Sequence, residues 1–146
     1  MMRSETDVER FVLAQKDVYA RALAELMAGK KQTHWIWFIF PNWKSLGRSS
    51  MSQQYAIGSV AEAKAYLDHP VLGPRLLECT NALLGQQTRT DHEILDYPDD
   101  LKVQSSMTLF ASISDGHSVF HEVIDRYFDG KMDEKTIALM AIGSGR

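Results

Sequence analysis

Apolar side chains recur at intervals of three and four residues along most of this chain, which is the spacing that puts them on one face of an α-helix. Six segments show the pattern, and polar or charged residues fill the positions between. They span residues 7–28, 59–68, 72–84, 99–113, 119–128 and 133–140. Because each helix has an apolar face to bury, these segments predict a mainly α fold, a compact single-domain helical bundle of about six to seven helices. The domain is expected to fill residues 1–146, with frayed ends at about 1–5 and 143–146.

Several helix ends are marked by capping and stopping residues. Ser59 and Glu62 have the spacing of a capping box, in which the hydroxyl binds the amide of Glu62 and the carboxylate reaches back to Ser59. His69–Pro70 ends that helix, because the residue before a proline is disfavoured in the helical conformation. Gly29 is suited to end the first segment, which is either one helix or two helices joined near Lys16–Asp17.

The run from His34 to Pro41 contains two tryptophans, two phenylalanines and two isoleucines, which cannot all face water. A short run without a polar face is compatible with a buried strand or a buried helix. No second alternating segment is available to pair with a strand, so a helix over residues 33–40 accounts better for the backbone hydrogen bonds. The serine-rich residues that follow, Asn42 to Gln54, predict a long loop.

The composition is ordinary for a globular domain, with 45% hydrophobic and 24% charged residues and a net charge of −3. Cys79 is the sole cysteine, so no disulfide forms within the chain, and its predicted helical face favours a buried thiol. The basic pair Lys30–Lys31 is too small for a nucleic-acid surface. No apolar run approaches the about 20 residues of a membrane span, and no signal peptide is recognisable. A cytoplasmic protein without nucleic-acid or membrane partners is expected.

Polar side chains beside the aromatic run define a candidate small-molecule site. Trp35 or Trp37 is suited to stack on a flat ligand while His34, Asn42 or Arg48 meets its polar substituents. Two further candidates are Tyr55 and Arg75. The alternative for His34 is a core histidine whose ring nitrogens are satisfied by the protein itself.

Lys102 and Ser106 lie four residues apart on a predicted helix, so both side chains are expected on one side of it. A desolvated lysine would activate the serine as a nucleophile. The neighbouring Asp99–Asp100 pair favours the charged lysine instead, so a surface lysine beside a capping aspartate is the alternative.

Other catalytic and metal-binding patterns are incomplete in this sequence. His117 and His121 have the spacing of metal ligands, but no third ligand is indicated, and Glu122 does not lie between them as in zinc proteases. There is no phosphate-binding loop, no dinucleotide fingerprint and no Gly-x-Ser-x-Gly elbow. We therefore predict no metal and no cofactor, and the sequence leaves open whether the protein is an enzyme.

Five segments together resemble a bacterial domain-of-unknown-function family whose members are often called calpastatin-like. They are Arg10-Phe11-Val12-x-Ala14-Gln15, His34 to Pro41, Tyr55-Ala56-Ile57, Glu62 to Leu76, and Asp100 to Phe110. The resemblance spans about residues 7–137 and implies a small, mainly helical, single-domain cytosolic protein. The segments Glu62–Lys64 and Lys102–Phe110 are also similar to NADAR N-glycosidases, which act on nucleotide or ADP-ribose derivatives. That similarity implies an N-glycosidase-like hydrolase.

Two classes of function follow from these observations. In the first, a nucleotide-like or phosphorylated heteroaromatic ligand binds at the edge of the tryptophan segment, and Lys102 holds its anionic group. The residues expected to line this site are His34, Trp37, Asn42, Tyr55, Lys102 and Ser106. In the second, the protein is a non-catalytic protein–protein interaction module, its aromatic residues form only core, and an exposed apolar helix face binds the partner.

Overall fold

The structure, a computed structural model, describes residues 8–86 and 88–144, with side chains to residue 142. Ten helices lie within these residues. They are α1 (Glu9–Gln15), α2 (Tyr19–Ala28), α3 (Ile36–Ile39), α4 (Ser50–Gln54), α5 (Val60–Asp68), α6 (Leu72–Leu84), α7 (Asp91–Leu95), α8 (Asp99–Ser112), α9 (Val119–Tyr127) and α10 (Glu134–Ser144). The prediction of a mainly α single domain is confirmed, but the predicted count of six to seven helices is wrong.

The additional helices are short. α3, α4 and α7 have four or five residues each, and a hydrophobic period of 3.6 residues cannot be recognised within one turn. α4 lies in the segment predicted as a loop, and it begins where the Ser49 hydroxyl accepts the amide of Ser52 at 3.1 Å. The first apolar segment divides into α1 and α2 at residues 16–18, which is the second of the two predicted alternatives.

The aromatic run is helical rather than extended, but its helix is a single turn that covers only Ile36–Ile39. The prediction of a helix over the whole of residues 33–40 is therefore correct in type and too long. Shortly after this turn, Trp43 and Ile57 form an isolated parallel bridge. No β-strand is found among the described residues beyond this single bridge.

The core is organised around α8, which packs against α3, α7, α9 and α10. Phe110 of this helix lies between two further aromatic rings, with its centroid 5.5 Å from that of Tyr66 and 5.6 Å from that of Phe120. α6 packs against α2, α3, α5 and α9. Burial of nearly every residue from Ser106 to Ala111 places α8 in the interior of the domain.

Gln15 ties the aromatic turn to the rest of the core. Its side chain is 1% exposed, and its Nε2 donates to the carbonyl oxygen of Phe38 at 2.7 Å and to the hydroxyl of Tyr66 at 3.0 Å. Arg75 donates to the Oε1 atom of the same amide at 3.3 Å. Since a buried amide is costly to leave unpaired, these bonds fix where α3 sits.

The predicted capping box at the start of α5 forms only in part. The Ser59 hydroxyl accepts the amide of Glu62 at 3.0 Å, as predicted. The Glu62 carboxylate does not return to Ser59; it accepts the amide of Gly58 at 2.7 Å and pairs with Arg10 at 2.8 Å. Glu62 is fully buried, so its charge requires this partner, and the ion pair outcompetes the local cap.

The ends of the chain are described in part. α10 continues through Ser144, so the backbone is helical over the first two residues of the predicted frayed end at 143–146. Residues 1–5 and 145–146 lie outside the described residues. Among the described helices, none combines the length and the hydropathy that a bilayer crossing requires.

Candidate functional site

The candidate site begins with a segment that Glu25 holds in place after the end of α2. Gly29 ends this helix with a φ of 78°, and the chain then turns back over Glu25. The Oε1 atom of Glu25 accepts the amides of Gln32 at 2.8 Å and Thr33 at 3.0 Å, and the indole N–H of Trp35 at 2.8 Å. Its Oε2 atom accepts the Thr33 hydroxyl at 2.6 Å. One carboxylate therefore positions the whole segment that leads into α3.

These hydrogen bonds also set the pKa of Glu25. Partial burial by itself raises this pKa, but the bonds from the Thr33 hydroxyl, the Gln32 amide and the Trp35 indole favour the ionised carboxylate and outweigh burial. Together they lower the pKa from 4.5 to about 2. Glu25 is thus an anion at neutral pH, and its acceptor oxygens are available to all four donors.

The single turn α3 places Trp37 above α8. Ile36 and Ile39 are buried, which leaves the indole of Trp37 half-buried at the surface of the domain. The ammonium group of Lys102 lies 4.4 Å from the centroid of this ring, within the range of a cation–π interaction. Residues 65 positions apart in sequence therefore meet here.

Asp99 lies between two lysines. Its Oδ2 atom is 2.8 Å from Nζ of Lys31, and its Oδ1 atom is 3.4 Å from Nζ of Lys102. The Lys31 side chain is only 7% exposed, donates to the carbonyl oxygen of Thr33 at 2.7 Å and lies over the ring of Trp35. Two ammonium groups share one carboxylate, so this half-buried cluster carries an excess positive charge.

A cleft with a volume of about 270 Å³ opens beside this cluster, and we call it the first cleft. It is lined by Lys31, His34, Trp35, Ile36, Trp37, Phe38, Met51, Asp99 and Lys102. Its walls are mainly aromatic and aliphatic, and its charged groups are the lysines and Asp99. A few polar groups placed in a mostly apolar cleft are the usual composition of a small-molecule site.

A second cleft of about 270 Å³ adjoins the first and shares Trp37 and Lys102 with it. The other residues that line this second cleft are Asn42, Leu46, Gly47, Pro98, Leu101, Ser105, Asp133 and Lys135. It is more polar, since it contains an amide, a hydroxyl, a carboxylate and two ammonium groups. Lys102 is therefore the charged residue common to both clefts.

The structure brings together four of the six predicted site residues. His34, Trp37 and Lys102 line the first cleft, and Asn42 joins Trp37 and Lys102 in the second. The alternative prediction for His34, a core histidine, is wrong because this side chain is exposed. The segment held by Glu25 turns the neighbouring Trp35 into the core instead.

Tyr55 and Ser106 line neither cleft, in contrast to their prediction. Tyr55 packs edge-on against Phe38, with ring centroids 4.9 Å apart, and also against Phe11, so it supports the wall of the first cleft from behind. Ser106 is fully buried, and its hydroxyl has no hydrogen-bond partner among the described residues. Since Lys102 points to Asp99 and Trp37, the lysine–serine pair considered from the sequence does not form.

Sequence reasoning missed Lys31, Asp99 and Lys135 as members of the site. The sequence presents Lys31 only as part of a basic pair, and Asp99 only as a capping aspartate that favours the charged form of Lys102. The spacing of Asp99 and Lys102, three residues apart on one helix, was the available signal for their ion pair. Nothing comparable in the sequence indicates Lys31 or Lys135, because their positions depend on the tertiary fold.

Of the two histidines with metal-ligand spacing, His121 has a local structural role, whereas His117 is exposed, with its Nε2 atom 3.4 Å from Oδ2 of Asp125. Nδ1 of His121 accepts the backbone N–H of Ser118 at 3.0 Å, and the Ser118 hydroxyl accepts the amide of His121, which closes a capping box at the start of α9. Within the part of the chain that the structure describes, no group of three histidine, cysteine or acidic residues is arranged to hold a metal ion.

Comparison with known proteins places this fold in a family. The family model described as "Protein of unknown function (DUF1810)" matches residues 5–140, which is nearly the whole chain. The chain belongs to the DUF1810 family. A DUF1810-like fold is also seen in the 1.38 Å crystal structure of the conserved hypothetical protein Rv1873 from Mycobacterium tuberculosis. The two sequences are 46% identical, the TM-score is 0.92, and the match covers 94% of this chain and 99% of that one.

The match confirms the predicted resemblance of this DUF1810 chain to a helical family of unknown function. It does not show the calpastatin-like name or the similarity to NADAR N-glycosidases. No curated protein matches the chain.

Proposed function

We propose that this protein binds a small molecule in the first cleft, and that the ligand is a nucleotide-like or phosphorylated heteroaromatic compound. Its ring would lie against the wall that contains Trp37 and Phe38, and its anionic group would bind Lys102. The observation that carries the proposal is the position of the Lys102 ammonium group over the Trp37 ring, with both residues lining a mainly apolar cleft.

The charge of the cluster favours an anion. Lys31 is committed to the protein, because its ammonium group already binds Asp99 and the carbonyl oxygen of Thr33. Lys102 is less engaged: its Nζ is 3.4 Å from Asp99, makes no hydrogen bond to the described residues, and belongs to a side chain that is 27% exposed. A phosphate or carboxylate oxygen would supply the acceptor that these N–H groups lack.

The walls favour an aromatic ring. The half-buried indole of Trp37, the ring of Phe38 and the exposed side chain of Met51 leave apolar surface open in the cleft. A flat ring would cover that surface, and aromatic contacts add about 0.5–1.5 kcal/mol beyond the burial of area. A volume of about 270 Å³ lies just below the usual range for ligand pockets, so the first cleft suits one ring system rather than a dinucleotide.

An enzymatic form of the proposal, N-glycosidase-like hydrolysis, would have to use Asp99. It is the carboxylate that lines the first cleft, and glycoside hydrolysis depends on a carboxylate close to the scissile bond. Because Asp99 is held by two lysines, binding is better supported than turnover. Release of free base from a bound nucleotide, lost in Asp99→Asn, would extend the function from binding to hydrolysis.

The proposal is tested by calorimetric titration at low ionic strength with a panel of nucleoside monophosphates, after a thermal-shift screen. We expect Trp37→Ala and Lys102→Gln each to weaken binding about tenfold or more. Lys102→Gln removes a charge-assisted hydrogen bond, which contributes about 1.5–3 kcal/mol, and Trp37→Ala removes the ring on which the ligand lies. Added salt should weaken binding to the wild type more than binding to Lys102→Gln.

Lys30→Gln is the matched control, because Lys30 is adjacent to the cluster in sequence but half-exposed and outside the first cleft. It should change affinity less than twofold. Absence of any response to the panel, or equal affinities in Trp37→Ala, Lys102→Gln and wild type, would remove the proposal. A stoichiometric protein partner that is lost on substitution of exposed apolar helix residues would support the interaction module instead.

A further inference from the structure

We infer that the second cleft is a subsite for a sugar phosphate, so that the complete ligand is a nucleoside monophosphate that extends from one cleft into the other. This inference rests on the proposed function for the placement of the base in the first cleft. The two clefts share Trp37 and Lys102, so a single ligand that passes this pair can occupy both.

Asn42 provides the first argument, because it presents an unused acceptor to the second cleft. The residue is only 5% exposed, and its Nδ2 donates to the carbonyl oxygens of Phe40 and Lys102, both at 3.1 Å. Since both partners are acceptors, the orientation of the amide is fixed. Its Oδ1 atom accepts no hydrogen bond from the described residues and is not fully buried, and Asn42 is one of the residues that line the second cleft.

An amide oxygen that no protein group satisfies accepts a hydrogen bond from water or from a ligand that displaces the water. The hydroxyl groups of a ribose are donors of suitable size, and neither a carboxylate nor a fully ionised phosphate is one. Asn42 therefore favours a hydroxylated portion of the ligand over an additional acidic group at its own position.

The second argument is the charge of the other residues that line this cleft. Lys102 and Lys135 both line it, together with the carboxylate of Asp133. Asp133 is occupied by the protein: its Oδ2 atom accepts the hydroxyl of Ser105 at 2.9 Å and caps α10 through the amide of Thr136 at 3.2 Å. Lys135 is exposed and has no ion pair with the described residues. Because Lys102 shares the carboxylate of Asp99 with Lys31, the additional ammonium group of this cleft is that of Lys135, and it favours an anionic group of the ligand.

A ring site, an acceptor for a hydroxyl and two lysines for an anion correspond to the three parts of a nucleoside monophosphate. An aromatic carboxylate would satisfy the ring site and Lys102 but would leave Asn42 without a donor. The sugar phosphate is therefore the class of ligand that uses all of these groups.

The inference is tested by titrating wild type and Lys135→Gln with adenosine 5′-monophosphate, adenosine and ribose 5-phosphate. We expect Lys135→Gln to weaken the binding of the monophosphate about fivefold to tenfold, because the variant lacks one charge-assisted contact to the phosphate. Its affinity for adenosine should stay the same. Lys131→Gln, an exposed lysine outside both clefts, is the matched control and should change neither.

Asn42 gives an independent readout. In amide-detected NMR, ribose 5-phosphate and adenosine should both shift the side-chain amide signals of Asn42, because both carry ribose hydroxyl groups, and adenosine should also shift the indole signal of Trp37. No shift at Asn42, or a Lys135→Gln variant that binds the monophosphate as tightly as the wild type does, would overturn the subsite and leave the first-cleft proposal intact. Equal affinity of the wild type for adenosine and its monophosphate would also contradict the anionic contact proposed for Lys102. Failure of all three probes to bind would overturn both.

Discussion

Replacement of Glu25 by glutamine tests whether one carboxylate holds the segment that builds the first cleft. Glutamine has the same length and keeps an oxygen for the three N–H donors now bound to Oε1. Its amide group would face the Thr33 hydroxyl, which can rotate to accept instead of donating. The substitution therefore removes the negative charge with little change in shape.

The expected loss follows from the depressed pKa. A fall from 4.5 to about 2 corresponds to at most about 3 kcal/mol of stability at neutral pH. Because Glu25 is partly exposed, solvent screening reduces this figure, and we expect Glu25→Gln to lower the free energy of unfolding by about 1–2 kcal/mol at pH 7. Glu25→Ala should lower it further, since it leaves several donors unpaired.

The sign of the pH dependence is fixed by the direction of the shift. A carboxyl whose pKa is lowered by folding stabilises the protein above pH 4.5, and that contribution is lost as the pH falls toward 2. The difference between wild type and Glu25→Gln should therefore shrink as the pH falls from 7 to 3. Comparison of the two proteins is essential, because burial raises the pKa of Asp100 and gives that carboxyl the opposite pH dependence.

The assay is urea unfolding of both proteins at pH 7, 5, 4 and 3, followed by far-ultraviolet circular dichroism. A difference that stays constant across this range would show that the charge of Glu25 is not what stabilises the segment. Equal stability of wild type and Glu25→Gln at pH 7 would refute the contribution assigned to the charge, and equal stability of wild type and Glu25→Ala would refute the role assigned to the hydrogen bonds.

Two further predictions concern the interior. Gly73→Ala should lower the free energy of unfolding by about 3 kcal/mol or more in the same urea assay, because a Cβ there would lie 2.1 Å from the backbone oxygen of Leu67. Gly85→Ala is the control and should be nearly neutral. A small loss of stability in Gly73→Ala would contradict the close approach of α5 and α6. Cys79 should react with a thiol reagent such as dithionitrobenzoate only on unfolding, because the thiol is buried and burial raises its pKa to about 12. Rapid labelling of the native protein would refute this prediction.

The fold was predictable where a helix has one apolar face and two marked ends. The segment that contains Val119, Val123 and Ile124 alternates clearly between buried and exposed positions, and α9 forms there. α8 was found from its polar start and its apolar positions, although it is buried nearly all round. The single turns α3, α4 and α7 were not predictable in number, since tertiary contacts and local caps, rather than periodicity, stabilise them.

The site was predictable to the extent that its chemistry is local. Trp37 was identified by its aromatic neighbours, and Lys102 by its place on a helix. Ser106 was wrongly joined to Lys102, because a helical side chain leans toward the N-terminus, and Lys102 accordingly reaches Asp99 rather than the serine one turn later. Lys31 and Lys135 enter the clefts through the path of the whole chain, which no short-range pattern encodes.

The unequal burial of the three indoles gives this protein an internal optical reporter. Trp35 and Trp43 are 1% and 2% exposed, so iodide in solution has almost no access to them, whereas Trp37 is half-buried beside a cation that attracts the quencher. Collisional quenching of the native fluorescence is therefore specific to one ring, and a compound seated on that ring would shield it. Occupancy of the site can be followed in unlabelled material by a decrease in the Stern–Volmer slope.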